Sequence, residues 1–547
     1  MRKEFLVPFN DVVSIFLISF VIRLLSYLNV NTGIIHVHVA PYSNDLKKIS
    51  ERNKTNRANK KMMSITWKIS YAQVREELKQ PVTTASTDPL PPTVLVKTTL
   101  DAKEYLNNSK SMSTPLKVAV VGAGLSGLIA ARELERESHE VVVLEKSHRL
   151  GGVWVYDPRI ESDLVGIDPD REIVHATIYK SLRTNSPRQI MGFSDYTFQG
   201  KEYGDPRMFP GHEEILRYLE DFVERFGVLK LIRFNSEVIR VESLSPGNGF
   251  VVESKKSGSS SGWSSTLTEI FDAVVVCNGH NTQPRVATDI PGILEWPKKQ
   301  LHAHNYRVPE PYRDQVVVII GNGSSAYDIS REIAIVAKEV HLMSRSSNVK
   351  GSKLDKYDNI WQQSKIDRVL KDGTVQFQDH VSITADTIIH CTGYEFHIPF
   401  LKTKGIVSIE DSRVVPIYGH VFPPQLAPRL SFVGLFHMGM TFLPAELQSK
   451  WIARALSGTV SLPSEKEMLH NIEQFYRQME ERGIPKRNTH SLNHNMDYLD
   501  WLSDRLGITR PPQTLKDFYA RFIERFHGDH EGFRETFEDD CLINDEI

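Results

Sequence analysis

Two stretches of this chain share one plan and finish on opposite charges. The first starts at Lys117: a β-branched strand signal (Val118, Val120, Val121), the turn Gly122-Ala123-Gly124-Leu125-Ser126-Gly127, an Ala-rich helix, then Val141-Val142-Val143-Leu144-Glu145. The second starts at Gln315: Val316-Val317-Val318-Ile319-Ile320, the turn Gly321-Asn322-Gly323-Ser324-Ser325-Ala326, a helix through Ile329 and Ile333, then Val340 to Arg345. Each reads strand, glycine turn, helix, strand. Few folds accommodate that unit twice. The expected class is α/β, with two Rossmann-like dinucleotide-binding domains.

The glycines have separable tasks. The first makes the tight turn, the second admits a pyrophosphate, and the third lets helix meet strand, so that the helix N-terminus faces phosphate. Ala326 takes the third position in the second copy, which nicotinamide nucleotides tolerate. Glu145 stands 23 positions after Gly122, and Arg345 stands 24 after Gly321. An acid there accepts hydrogen bonds from ribose hydroxyls; an arginine there holds a 2′-phosphate. The first unit therefore reads as an FAD site and the second as an NADPH site, and a chain binding both is a flavin-dependent oxidoreductase.

A second duplication supports this. Asp272-Ala273-Val274-Val275-Val276-Cys277-Asn278-Gly279 follows the first unit, and Asp386-Thr387-Ile388-Ile389-His390-Cys391-Thr392-Gly393 follows the second. Both run acid, apolar strand, Cys, small residue, Gly, so each is expected to close its own sheet. The resulting order is an N-terminal extension (1–115), FAD domain (116–299), inserted NADPH domain (300–392), FAD domain again (393–460) and a helical C-terminal region with an acidic tail (461–547). Within it, Gly151-Gly152-Val153-Trp154 reads as a second tight turn whose glycines let backbone approach the flavin. A helix is expected over 217–226, a strand pair over 233–241 and 249–253, an exposed Ser/Gly loop over 254–265, a late strand at 430–434 and a helix over 446–456.

With 547 residues and a net charge of −2, the chain has no field to attract nucleic acid. Its three cysteines (Cys277, Cys391, Cys541) are far apart and form no C-x-x-C, which argues against a disulfide scaffold, a zinc site or thiol redox. His302 and His304 at i, i+2 have no third ligand at useful spacing, so no metal is expected. Val12 to Leu28 is nearly all apolar, with Arg23 inside it. Two readings stand: a membrane signal anchor, with Arg23 costing ~2.5–3.5 kcal/mol at a bilayer centre, or an apolar segment packed on or foreign to the fold. The Asn322-Gly323-Ser324 sequon inside the second turn favours a catalytic part facing the cytoplasm, since a glycan there blocks the cofactor.

With these residues in hand, the chain resembles the flavin-containing monooxygenases, specifically the plant glucosinolate S-oxygenase-like group, from about Lys117 to Leu542. The family pattern F-x-G-x-x-x-H-x-x-x-(Y/F) is met by Trp296, His302 and Tyr306, with Lys298 where the family has glycine. That departure is expected to disturb the local turn and NADPH contacts, and to favour peroxide leak by loosening NADP⁺. Closer to the plant group are Arg183-Thr184-Asn185, His390-Cys391-Thr392-Gly393-Tyr394 and Phe422-Pro423-Pro424-Gln425-Leu426-Ala427-Pro428. The resemblance implies that Thr184 and Asn185 lie by the flavin ring and that Gln448, at a helix start, contacts the flavin. It also implies a cycle in which NADPH reduces FAD, O₂ forms a C4a-hydroperoxyflavin, and a thioether sulfur or amine attacks the distal oxygen. Substrates of related enzymes (amines, ketones, indole-pyruvate-like acids), an uncoupled NADPH oxidase and a non-enzymatic flavoprotein remain as alternatives.

Overall fold

The computed structural model describes residues 114–244, 249–257, 264–343, 351–492, 496–528 and 532–537; the apolar segment 12–28, Arg345 and Cys541 lie outside them. In chain order the elements that build the first sheet are β1 (Lys117–Val121), α1 (Leu125–Arg136), β2 (Glu140–Leu144), α2 (His212–Phe226) and β3 (Ile232–Arg233). A meander of β4 (Ser236–Ser243), β5 (Phe250–Ser257) and β6 (Ser264–Phe271) follows, then β7 (Ala273–Val276). The second sheet takes β8 (Lys299–His302), β9 (Val316–Ile320), α3 (Ser324–Ala334), β10 (Glu339–Met343), β11 (Ile360–Gln363) and β12 (Thr387–His390). The chain then returns through β13 (Leu430–Phe432) to α4 (Phe442–Leu456), α5 (Glu465–Glu481), α6 (Met496–Leu506), α7 (Gln513–Gly528) and α8 (Phe533–Thr536).

The first sheet has the order β13-β7-β1-β2-β3 with every pairing parallel. The second has β11-β10-β9-β12-β8, also parallel, with Ser352–Lys353 added antiparallel at one edge. In both, a β-branched run lies at the centre and is buried on both faces, as a parallel sheet covered by helices requires. Crossing from β7 into the second sheet and back to β13 makes one sheet interrupt the other.

The duplicated segments do the same job at atomic detail. Asp272 Oδ2 accepts the first N–H of β1 from Lys117 at 2.8 Å, and Asp386 Oδ2 accepts the first N–H of β9 from Val316 at 2.9 Å. At the other end, Cys277 N donates to Val121 O at 3.0 Å and Cys391 N to Ile320 O at 2.9 Å. The acid starts each central strand and the cysteine ends it.

Several boundaries differ from the sequence reading. The region 233–241 is divided: Ile232–Arg233 closes the first sheet against β2, while Ser236 onward belongs to the meander. The expected loop 254–265 is mostly strand, because β5 runs on through Ser257 and β6 resumes at Ser264, pairing Ser254 with Leu267. Polar, Ser-rich sequence forms strand there because one face of the ladder is solvated. Helix α4 starts at Phe442, four residues early. Pro444 sits in its first turn, where no amide hydrogen is needed, and Phe442 is fully buried as an anchor. Among the described residues no helix is long and apolar enough to cross a membrane.

Candidate functional site

The three glycines of the first turn are required for three different reasons. Gly122 has φ +100°, and a Cβ on it would lie 2.7 Å from Cys277 O. A Cβ on Gly127 would sit 1.9 Å from Gly122 O, so this position sets the contact of helix with turn. Gly124 has ordinary extended geometry; its Cβ would point at Gly152 Cα, 3.5 Å away. The second glycine turn is therefore stacked on the first, and Gly151 N donates to Ala123 O at 2.9 Å. Trp154 closes the short helical turn Gly152–Trp154 beside them.

Helix α1 begins with Gly124 as its N-cap, without a side-chain cap and without an acid in its first turn. Helix α3 begins the same way at Gly323. By contrast α5 carries a full Ser464–Glu467 capping box, and α2, also preceded by a glycine, has Glu213 and Glu214 in its first turn; α4 has neither device, but it does not start at a glycine turn. Two helices left with orphan N–H groups and partial positive charge at glycine turns fit two diphosphates. Leu125 and Ser126 lie in that first turn of α1; Ser324 and Ser325 are their equivalents in α3.

Glu145 is held over the first turn, its Oε2 accepting from Ala123 N at 2.6 Å and its Oε1 from Ser147 N at 2.7 Å. Burial raises its pKa above the usual carboxylate range, and the two backbone N–H groups oppose that rise. A carboxylate has about four acceptor directions, which leaves room for ribose hydroxyls. From the other side β13 delivers Gly434, with φ +84°, to within a Cβ's reach of Ser126 Oγ. Gln448 is not at a helix start: it lies in the second turn of α4, fully buried. Its Oε1 accepts from Gly434 N at 3.2 Å and its Nε2 donates to Tyr498 Oη at 2.8 Å, so it supports the Gly434 loop from below.

At the second turn, Gly321 has φ +139° and its Cβ would lie 2.3 Å from Cys391 O, repeating the Gly122–Cys277 contact. Ala326 is fully buried at the third position. Above the turn opens a cleft of about 530 Å³ lined by Gly321, Asn322, Gly323, Ser324, Ser325, Arg285, His302, Thr392 and Tyr394 among others. Arg285 donates to Thr392 O at 3.0 Å and brings positive charge to the cleft. His302 accepts from His304 N at its Nδ1 (3.1 Å) and directs Nε2 at Gly393 O (2.9 Å). Burial lowers its pKa to about 3, so it is neutral and structural at the cleft wall. His304 turns the other way, onto Glu161 Oε1 at 3.0 Å, where Arg171 also binds. Among the described residues no cluster fit to hold a metal occurs.

Lys298 does not disturb this cleft. It precedes β8, at the end of the sheet opposite His302, and its Nζ donates to Ala385 O at 2.6 Å beside Asp386. Four residues of strand separate it from the cofactor end, about 13 Å. The expected link between Lys298 and loose NADP⁺ therefore has no geometric basis. Arg345 falls just beyond the described end of β10.

Thr184 and Asn185 sit where the first sheet's chain meets α3. Thr184 is buried, its N donating to Pro210 O at 2.9 Å and its Oγ1 to Ser186 O at 2.8 Å. Asn185 is exposed, and its Oδ1 accepts from Arg534 Nη2 at 2.5 Å. Sequence reasoning missed Arg285, Asp328 and Arg534. Arg285 is a lone arginine after a Pro, and Arg534 is 349 residues from the side chain it holds, so neither carries a local signal.

Two uncapped glycine turns on two parallel sheets, one with an acid and one opening on a basic cleft, define a flavoprotein oxidoreductase that draws electrons from a nicotinamide nucleotide. The chain belongs to the flavin-binding monooxygenase-like family, whose model matches residues 115–361 and 357–516. It is 49% identical over 440 residues to the flavin-containing monooxygenase FMO GS-OX5 of Arabidopsis thaliana, covering 78% of this chain and 93% of that one. It is similar to the structure of S-allyl-L-cysteine S-oxygenase from Allium sativum, with 48% identity and a TM-score of 0.74 over 78% of this chain and 96% of that one. Tmm from a Pelagibacter strain shares the fold at 24% identity and a TM-score of 0.63, over 76% and 92% of the two chains. The protein is thus a flavin-containing monooxygenase that uses FAD, NADPH and O₂ on a small-molecule substrate.

Proposed function

We propose that the protein oxygenates the sulfur of a small thioether. The observation that carries this is the 48% identity and TM-score of 0.74 with an enzyme named for S-oxygenation of S-allyl-L-cysteine. The chemistry the bound cofactors would supply is net transfer of one O₂ oxygen to sulfur, the other leaving as water, with NADPH oxidised to NADP⁺ and one proton taken up into that water. The chain's own residues bind, orient and shield. The start of α1 takes the FAD diphosphate, Glu145 the ribose, and the stacked turn from Gly152 to Trp154 lies toward the flavin ring. The start of α3 with Arg285 takes the NADPH diphosphate, and Arg345 its 2′-phosphate. Asn185 offers an amide beside the flavin ring, and buried Gln448 fixes the Gly434 loop against Ser126. In this reading 116–299 and 393–460 form the FAD domain and 300–392 the NADPH domain.

The test is turnover of the purified full chain with NADPH and two competing nucleophiles, S-allyl-L-cysteine and N,N-dimethylaniline. Sulfoxide is expected to form at least about tenfold faster than N-oxide, a difference of ~1.4 kcal/mol in selectivity. Preferential N-oxide formation would move the protein to the amine-oxygenating alternative.

A further inference from the structure

We propose that Arg534, in the short C-terminal segment 532–537, is a positioning residue for Asn185 that ties its amide to the nicotinamide-side helix α3. The proposal rests on the reading of Asn185 as the amide beside the flavin. One guanidinium reaches three anchors. Nε donates to Thr184 O at 3.0 Å, Nη2 to Asn185 Oδ1 at 2.5 Å, and Nη1 and Nη2 to the two carboxylate oxygens of Asp328 at 2.9 Å each. Asp328 lies in the first half of α3, one turn beyond the Gly321–Ser325 turn, and it also accepts from Tyr179 Oη at 2.8 Å. The side chains of Arg534 and Asp328 are each only about an eighth exposed (12% and 13%), so water screens the pair weakly.

The segment itself is seated firmly. Phe533 is 2% exposed, and its ring meets those of Phe209 at 5.4 Å and Phe526 at 5.1 Å. Glu535 pairs with Arg183 at 2.5 Å, and Arg183 in turn donates to Phe209 O at 3.0 Å. On one side of Arg534, Glu535 is thus docked on the segment that carries Thr184 and Asn185, and on the other Phe533 is seated on Phe209, whose carbonyl Arg183 holds.

The chemistry of the contact gives it a direction. Guanidinium has only donors, so it engages the carbonyl end of the Asn185 amide and leaves the NH₂ end turned away from Arg534. An asparagine free to flip would present either end. Fixing it makes Asn185 a donor toward whatever lies beyond it. Because the same guanidinium binds Asp328, a shift of α3 when its turn takes up or releases a nucleotide is transmitted to Asn185. Lysine cannot substitute, since one ammonium cannot span a backbone carbonyl, an amide oxygen and both carboxylate oxygens in one plane.

The experiment compares full-length wild type, Arg534→Ala, Arg534→Lys, Asn185→Ala and the Arg534→Ala/Asn185→Ala double variant. Each is measured for FAD content, NADPH consumed, S-allyl-L-cysteine sulfoxide formed and hydrogen peroxide released. Both Arg534 variants are expected to keep FAD, while sulfoxide per NADPH falls by about threefold or more and peroxide rises to match. The double variant is expected to be no worse than Asn185→Ala, because Arg534 acts through that residue. Full coupling in either Arg534 variant while Asn185→Ala uncouples would overturn the proposal alone, as would an additive double variant. Flavin loss from both Arg534 variants would make the residue a structural tie and also overturn it. Unchanged coupling in Asn185→Ala would remove the reading of Asn185 and the proposal with it, as would absence of sulfoxide from the wild type.

Discussion

Gly127→Ala is expected to yield no stable flavoprotein, whereas Gly124→Ala is expected to fold and to lose its flavin. The two glycines are three positions apart in one turn, yet they meet different neighbours. The new methyl at 127 lands 1.9 Å from Gly122 O, a backbone atom pinned by its own turn, so α1 must be pushed off the sheet. That cost sits at or above the ~3 kcal/mol upper end of ordinary overpacking. The methyl at 124 meets only Gly152 Cα at 3.5 Å, an ordinary contact, on backbone that any residue adopts. What it fills is the seam between the stacked glycine turns, where the proposed FAD site needs the diphosphate to approach. The ratio of flavin to protein absorbance, read together with the thermal melt, separates the outcomes. A Gly124→Ala protein with full flavin would remove the diphosphate from that seam.

The second large effect is acid lability. His302 is held neutral down to about pH 3, and His390, His420 and His437 to about pH 4, with burial the leading cause in each. His490, whose Nδ1 lies 3.1 Å from that of His420, is also pushed well below the ordinary value by burial. In the unfolded chain each titrates near 6.5. A depressed folded pKa contributes stability that is complete above 6.5 and is lost as pH falls toward the folded value. Between those limits each such histidine removes about 1.4 kcal/mol per pH unit. Four or five together remove roughly 5–7 kcal/mol by pH 5.5, comparable to the ~5–15 kcal/mol that a protein has in total. Urea midpoints measured at pH 7.5, 6.5 and 5.5 are expected to fall modestly over the first interval and steeply over the second. A flat profile to pH 5 would mean that these imidazoles are solvated.

The sheets were legible because their signals are local and repeated. Val118–Val121 and Val316–Ile320 are apolar runs ended by glycines; the matched acid–strand–Cys segments, expected to close each sheet, join the right sheet but lie inside it, beside the central strand. The meander was read too short because Ser254 to Ser257 is polar in composition although Ser254 is buried, so composition there does not separate strand from loop. Gln448 was misplaced by one helical turn because the helix was started at 446, whereas it begins at Phe442 with Pro444 in its first turn. Lys298 drew suspicion as a departure from a pattern, and only the sheet shows that it faces the far end. Arg534 was invisible. Its meaning depends on Asn185 and Asp328, brought to it by folding across 349 and 206 residues.

The reaction proposed for this protein is transfer of a dioxygen atom to sulfur at the expense of NADPH. The measurement that tests this most directly is turnover of the full chain under ¹⁸O₂ with NADPH and S-allyl-L-cysteine, with mass spectrometry of the sulfoxide and an NADPH count. One ¹⁸O in each sulfoxide and close to one sulfoxide for each NADPH are expected of that reaction. Sulfoxide carrying oxygen from water, or NADPH consumed entirely into hydrogen peroxide, would contradict it.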